Sequence, residues 1–344
     1  MFPTADRPDV VPLIEEIERL RGSRVITYFL RPGINMAMDA MDAFNEQLRR
    51  IGKTEKIDLW LHSTGGQTEF PWRLVQTVRC FCDHFGVLVP ELAQSAATHT
   101  ALGADEIVMG PFSLLSPVDP YRQHPLLPKG VDLDNPSAPE QPFPVSVQDL
   151  KHAVDFVKRE AGGEGLSGDA FARVVNALFQ HVHPLAVGAI EQSYAMSKLV
   201  TRRVLSTHMD EATEAAEIDR LTDALCDDYK SHSFPIGLIE AERLQLKVVR
   251  ASDDLHAAMW ALLEYYSKEI SRQLQAIPSA SKPLLAGVKI AGVAMWNAIG
   301  HIDSTELRYD CDQVVDVAPD GPQVRGSAWT QLETPAPAAA SSTP

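Results

Sequence analysis

Ser95 stands in the run Ala93-Gln94-Ser95-Ala96-Ala97-Thr98, directly after the apolar run at 86–90 (GVLVP). A β-branched run that passes through a serine into alanine-rich sequence reads as a strand turning into a helix. At such a corner the hydroxyl is presented at the sheet edge. The N–H groups that follow lack intrahelical acceptors and can receive a developing oxyanion. Taken alone, a serine here is more often an N-cap. The second feature is Ser63-Thr64-Gly65-Gly66, after a short apolar run at 57–61 (IDLWL). Two glycines let the backbone approach a substrate and aim an N–H inward, although a Gly-Gly pair by itself reads as a tight turn. The third is the block from Gly103 to Met109, leading to Leu115-Ser116-Pro117-Val118-Asp119-Pro120. All three fall at the C-terminal ends of expected strands, where open parallel sheets place their ligand sites.

The elements that must position these residues alternate. Residues 24–29, 57–61, 86–90 and 106–109 read as strands. Helices are expected at 37–51, closed by Gly52, at 70–85, opened by Pro71, and at 95–104. Strands alternating with helices imply parallel pairing through right-handed crossovers, an α/β domain over roughly 20–120. Residues 121–145 are Pro-rich. Ser146 with Asp149 forms a capping-box pattern, and 147–275 read as mostly helical. The segment from Pro319, ending PAPAAASSTP, is low-complexity and reads as disordered.

The chain has 344 residues, 45% hydrophobic and 22% charged, so it is globular rather than disordered. A formal net charge of −15 repels polyphosphates, and the doublets Arg49-Arg50 and Arg202-Arg203 read as solvated helix faces, so no nucleic acid is expected. Cys80, Cys82, Cys226 and Cys311 are too sparse for a disulfide framework and read as buried thiols in a reducing compartment. The lone Cys80-x-Cys82 pair lacks the second half of a zinc site. No signal sequence is visible. The apolar stretch at 284–299 contains Lys289 and Asn297 and is too short to span a bilayer. It reads as a core or interface helix, with membrane-surface contact left open. A cytoplasmic location is the expectation.

Together the motifs resemble the serine dehydrogenase proteinase family, relatives of signal peptide peptidase A and of the Clp protease in the crotonase-like group. The resemblance runs from Arg21-Gly22-Ser23-Arg24-Val25-Ile26 through the STGG turn, the SAAT serine, ALGADEIVMG and SPVDP. It resumes at Ser231-His232-Ser233-Phe234-Pro235-Ile236 and from Glu240 to Val248. It implies a crotonase/Clp-protease-like repeated β-α-β core with a mostly helical C-terminal half. It also implies Ser95 as nucleophile, the Gly66 and Ala96 amides as oxyanion hole, and Gly65 as the supporting turn. Relatives carry Gly where this chain has Ala96 or Ala97, a difference that narrows the site. Clp-type relatives place a histidine in the segment matching 114–120, where this chain has Pro117-Val118-Asp119. The peptidase A type uses a lysine, which points to Lys151 in the first turns of the helix opened by Ser146, with Lys158 in reserve. Val147 and Val154 flank Lys151 on the helical wheel, so it borders the buried face. Partial burial would lower its pKa and let it accept the serine proton. A solvated lysine is the plainer alternative. His62, beside the STGG turn, and His99 are the histidines closest in sequence to Ser95, and a histidine base is left open; His99 reads as a packed or surface residue, His232 as a turn or interface residue, and His181-x-His183 is poorly spaced for a metal.

The expected activity is therefore ATP-independent serine peptidase chemistry on peptides or unfolded protein, by a homo-oligomer without metal or organic cofactor. The expected layout is an N-terminal helix or arm at 1–20 and a protease domain at 21–250. That domain carries a helical insertion and Pro-rich segment at 121–230, followed by a helical appendage at 251–318 and a disordered tail at 319–344. Two rivals are a catalytically silent scaffold of the same fold and, with less support, an acyl-CoA enzyme. No G-x-G-x-x-G opens a helix, so no dinucleotide site is expected.

Overall fold

The computed structural model describes residues 9–131, 140–160, 168–275, 294–318 and 321–332. The chain divides into two compact units, residues 1–115 with 237–344, and residues 116–236.

The first unit opens with α1 (Val11–Arg21), then β1 (Arg24–Leu30), α2 (Met41–Ile51), β2 (Thr54–His62), α3 (Phe70–Arg79), β3 (Cys82–Val89), α4 (Ala96–Leu102) and β4 (Glu106–Met109). The second unit carries α5 (Val147–Glu160), α6 (Gly168–Phe179), α7 (Pro184–Leu205) and α8 (Ala215–Asp223), with a π-helical turn at Ala224–Asp228. The chain then returns to the first unit as α9 (Leu238–Arg243), β5 (Val248–Arg250), α10 (Asp253–Gln275), β6 (Ala294–Asp303), β7 (Arg308–Ala318) and β8 (Gly321–Gln331).

The eight strands form one sheet in the order β5-β4-β3-β2-β1-β6-β7-β8. The first five are mutually parallel, as the expected repeated β-α-β core requires. Alternation of side chains along each strand sends one set to each face. Val25, Phe29, Trp60, Leu88 and Val108 pack against Ile14 and Ile17 of α1 and Met259, Leu262 and Tyr266 of α10. On the other face Tyr28 meets Phe44 of α2 edge-on at 5.1 Å and Phe70 of α3 at 6.0 Å. The result is a three-layer α/β/α unit. At the N-terminal ends of the strands the wholly buried Asp58 accepts from Arg21 Nε at 2.8 Å and Ser23 Oγ at 2.7 Å. Arg21 also pairs with Glu106, which Lys56 Nζ reaches at 2.9 Å.

Several expectations need correction. α3 stops at Arg79 rather than running to Phe85, and residues 82–85 already belong to β3, paired from Thr54↔Cys82 onward. Phe81 and Phe85 continue the helical spacing of α3, and that continuity hides the strand start. α1 is no separate arm, because Ile14 and Ile17 lie in the core. The C-terminal part is not a helical appendage: after α10 it adds three antiparallel strands to the edge of β1. Of the apolar stretch at 284–299, residues 294–299 are strand and the rest lie outside the described residues. Residues 321–331 of the expected tail are β8, while 333–344 also lie outside the described residues. Cys226 and Cys311 are buried, but Cys80 is exposed and Cys82 half-buried.

In the second unit the capping box forms: Asp149 N donates to Ser146 Oγ at 3.0 Å, and Ser146 N donates to Asp149 Oδ2 at 2.8 Å. Among the described residues no helix is long and apolar enough to cross a membrane.

Candidate functional site: a strained serine pressed against a glycine turn

β2 ends at His62, and the chain is then stitched to the segment after β3. Ser63 N donates to Leu92 O at 3.0 Å, and Gln94 N donates to Ser63 O at 3.0 Å. On its other side the turn is stitched to the loop after β1. Met36 N donates to Gly65 O at 2.7 Å, and Gln67 N donates to Met36 O at 2.8 Å. In a parallel bridge of this kind Met36 bonds the neighbours of Gly66, so the N–H of Gly66 itself is turned away from Met36. The absence of a side chain is what permits it: a Cβ at Gly66 would lie 2.2 Å from Met36 O. Gly65 has φ 105°, and a Cβ there would lie 2.7 Å from Ser95 Cβ and 3.0 Å from Ala96 N. The Gly-Gly turn is thus pressed against the serine corner.

Ser95 precedes α4 with φ 53° and ψ −116°, and its side chain makes no capping bond to the helix. A positive φ at a residue with a Cβ costs on the order of 1–3 kcal/mol and persists only where the surroundings impose it. The N-cap reading of this serine is thereby set aside. Ala97 N donates to Gln94 O at 2.9 Å and His99 N to Ser95 O at 3.1 Å. Ala96 N, at the first helical position, has no intrahelical acceptor. Among the described residues neither the Ala96 N–H nor the Gly66 N–H is drawn into backbone pairing. Ser95 and Gly66 are half-buried and reached by solvent, whereas Ala96 and Gly65 are buried. Thr98 Oγ1 donates to Ala93 O at 2.7 Å and fixes the start of α4 to the strand segment before it. The arrangement offers a hydroxyl on an imposed corner with two unspent amides in the adjoining backbone.

Lys151 belongs to the other unit, on α5. It is exposed, with Nζ 3.0 Å from Asp227 Oδ1 and 3.3 Å from Tyr194 OH. What burial there is opposes the charge, but the bonds to Asp227 and Tyr194 outweigh it and raise the pKa. The expected lowering is therefore corrected: the neighbours that decide it are polar, not the flanking valines. Asp227 is itself held far below the ordinary carboxylate range, since Lys198, Tyr194 and Lys151 together overcome its burial. Lys158 is exposed, 3.8 Å from Asp155 on its own helix. His232 Nδ1 lies 3.1 Å from Oδ1 of the buried Asp119. Sequence reasoning had both residues in view, in SPVDP and SHSFPI, but not their pairing. His99 is buried, as expected of a packed residue. His62 is buried too, bonded to Leu30 O and to Glu91. Among the described residues no group of three or more His, Cys, Asp or Glu is placed to hold a metal ion.

No family model matches the chain. Two uncharacterized proteins of Methanocaldococcus jannaschii are similar to it, one 29% identical over 118 residues and the other 33% identical over 117. Each match takes in 31% of this chain, and it spans 41% and 40% of those proteins. Among solved structures, a variant of the 1510-N membrane-bound stomatin-specific protease is similar at 13% identity and TM-score 0.35, covering 69% of this chain and 84% of that one. A Clp protease variant from Listeria monocytogenes is similar at 12% identity and TM-score 0.34, covering 69% and 98%. The Clp protease catalytic domain from Plasmodium falciparum is similar at 12% identity and TM-score 0.32, covering 67% and 87%. The fold of this chain is read from its own strand order and crossovers.

Proposed function

We propose that the chain is a serine peptidase in which Ser95 attacks the substrate carbonyl and the Gly66 and Ala96 amides receive the oxyanion. The observation that carries this reading is the backbone of Ser95: φ 53° at a non-glycine residue, beside an uncommitted Ala96 N–H and pressed on by Gly65. Preorganised amides aimed at developing charge supply much of the barrier lowering in acyl transfer, and no metal or organic cofactor is required for it. The substrate class is peptide or unfolded protein, and the working form is a homo-oligomer in the cytoplasm that needs no ATP.

A hydroxyl also needs a proton acceptor. Lys151 is the residue the family resemblance nominates. To serve, its ammonium must first surrender a proton that Asp227 and Tyr194 help it keep. Lys151→Met tests the nomination: turnover that survives this substitution would remove Lys151 as the acceptor.

The nucleophile is tested by a fluorophosphonate probe together with an unstructured-peptide panel. Wild-type protein should be labelled at Ser95 and cleave peptide, and Ser95→Ala should do neither. Labelling or turnover that survives Ser95→Ala would remove the assignment. A folded wild type that takes no label would favour the silent scaffold.

A further inference from the structure

We propose that His62 and Glu91 are positioning residues of the Ser95 centre, forming a side-chain brace that joins the three backbone segments from which the centre is built. This rests on the Ser95 reading above. His62 is the last residue of β2, 3% exposed, with Nδ1 3.2 Å from Leu30 O and Nε2 3.1 Å from Glu91 Oε2. Its ring stacks on Phe29 at 4.9 Å and 14°. Each of the three anchored residues stands at the root of a site segment. Leu30 ends β1 and leads to Met36, which bridges Gly66. His62 leads directly into Ser63–Gly66. Glu91 leads into Leu92-Ala93-Gln94-Ser95, and its carbonyl accepts from Leu114 N at 2.6 Å. One imidazole therefore fixes the relative places of the strand ends that carry both oxyanion amides and the nucleophile.

Counting acceptors defines the bonding. A backbone carbonyl only accepts, so Nδ1 must carry a hydrogen. An ionised Glu91 also only accepts, so Nε2 must carry one as well. The bond to the ionised Glu91 carboxylate is charge-assisted, and such bonds are about twice as strong as neutral ones. Its bond to His62 is the chief cause holding the Glu91 carboxyl below the ordinary range, against the opposing effect of burial. The other charged groups nearby are spoken for. Glu264 and Lys268 of α10 line the same surface cleft as Glu91, about 480 Å³ in volume, and bond each other at 2.8 Å. Beyond Phe29 the stack continues to Tyr266 and His301, which bond Asp303 and Asp310.

Because the Glu91 pKa is depressed on folding, its carboxylate contributes to the brace above the ordinary carboxylate range, and that contribution is lost as pH falls through the depressed value. The test uses the full chain, since Glu91 is 42% exposed on its side chain and tolerates replacement better than buried His62. Glu91→Ala and His62→Gln should slow fluorophosphonate labelling of Ser95 on the order of 100-fold, the effect of misplacing reacting groups by about 1 Å. Glu91→Gln, whose amide can donate to a neutral ring, should recover part of that rate and erase the Glu91 contribution to the acid limb of the pH profile. Glu264→Gln, in the same cleft, should change neither. Amide exchange gives a readout independent of reactivity: segments 63–67 and 92–97 should lose protection in Glu91→Ala while the Asp58 end of the sheet does not. Unchanged exchange in those segments would overturn the brace, whether or not Ser95 takes label. Absence of label in wild type would instead count against the Ser95 reading.

Discussion

At the scale of single residues the centre depends on what is missing as much as on what is present. Gly65 and Gly66 face obstacles of different kinds. A methyl at Gly66 meets the backbone of Met36, whereas one at Gly65 meets the Ser95 corner and carries a left-handed φ besides. Gly66→Ala should therefore displace one amide donor and lower kcat by about 100- to 1000-fold, the usual effect of losing one oxyanion donor. Both variants should also lower the melting temperature, since each added methyl meets backbone or a fixed corner. Steady-state kinetics and thermal denaturation of the two variants check this. For Lys151 the sign is set by Asp227: its raised pKa keeps it charged further into alkaline solution. If it is the acceptor, Asp227→Asn should shift the alkaline-rising limb of kcat/KM to lower pH. A limb that stays in place in that variant would count against Lys151 as the acceptor.

At the scale of elements, the sheet is held from both faces and tied at one end. Met259 of α10 is wholly buried against β1 and β2, and its carbonyl accepts from Trp60 Nε1 at 3.3 Å. Met259→Ala should cost about 2–5 kcal/mol, read as a lower denaturant midpoint with unchanged slope. At the tied end, Lys56 and Arg21 outweigh burial and bring the Glu106 carboxyl from 4.5 down to about 2. The stability it contributes is full above 4.5 and disappears as pH falls toward 2, so Glu106→Gln should flatten the acid limb of a stability profile. Much of this layer was legible in the sequence. Strands β1, β2 and β4, helix α2, the serine corner and the glycine turn are local patterns that residue type and period announce. β3 began unseen because Phe81 and Phe85 keep helical spacing beyond the last turn of α3. The strands after α10 were missed because a largely apolar run such as 294–299 suits a buried helix and a buried strand equally. The His62–Glu91 and His232–Asp119 bonds had no sequence signal, since their partners meet only through strand pairing such as Phe29↔His62 or through long chain returns.

At the scale of the whole chain, one unit is continuous and the other is interrupted. The first unit leaves at Leu115 and resumes at Gly237, where an added Cβ would lie 3.7 Å from Leu114 Cδ2. Neighbouring exit and entry points are the arrangement that tolerates insertion. Replacing residues 116–236 by a short Gly-Ser linker should leave a cooperatively melting sheet unit, followed by circular dichroism. Loss of the transition would show that the inserted residues are needed for the sheet to fold.

β1 lies inside the sheet, yet one of its two partners is β6, with Thr27 opposite Asp303. During synthesis that flank must wait for nearly two hundred later codons after β4 has been translated. A nascent chain arrested shortly after β4 therefore carries a bare, apolar strand border with nothing to zip against. Such fragments should precipitate or seek chaperones, and supplying residues 237–332 in trans should rescue them into solution.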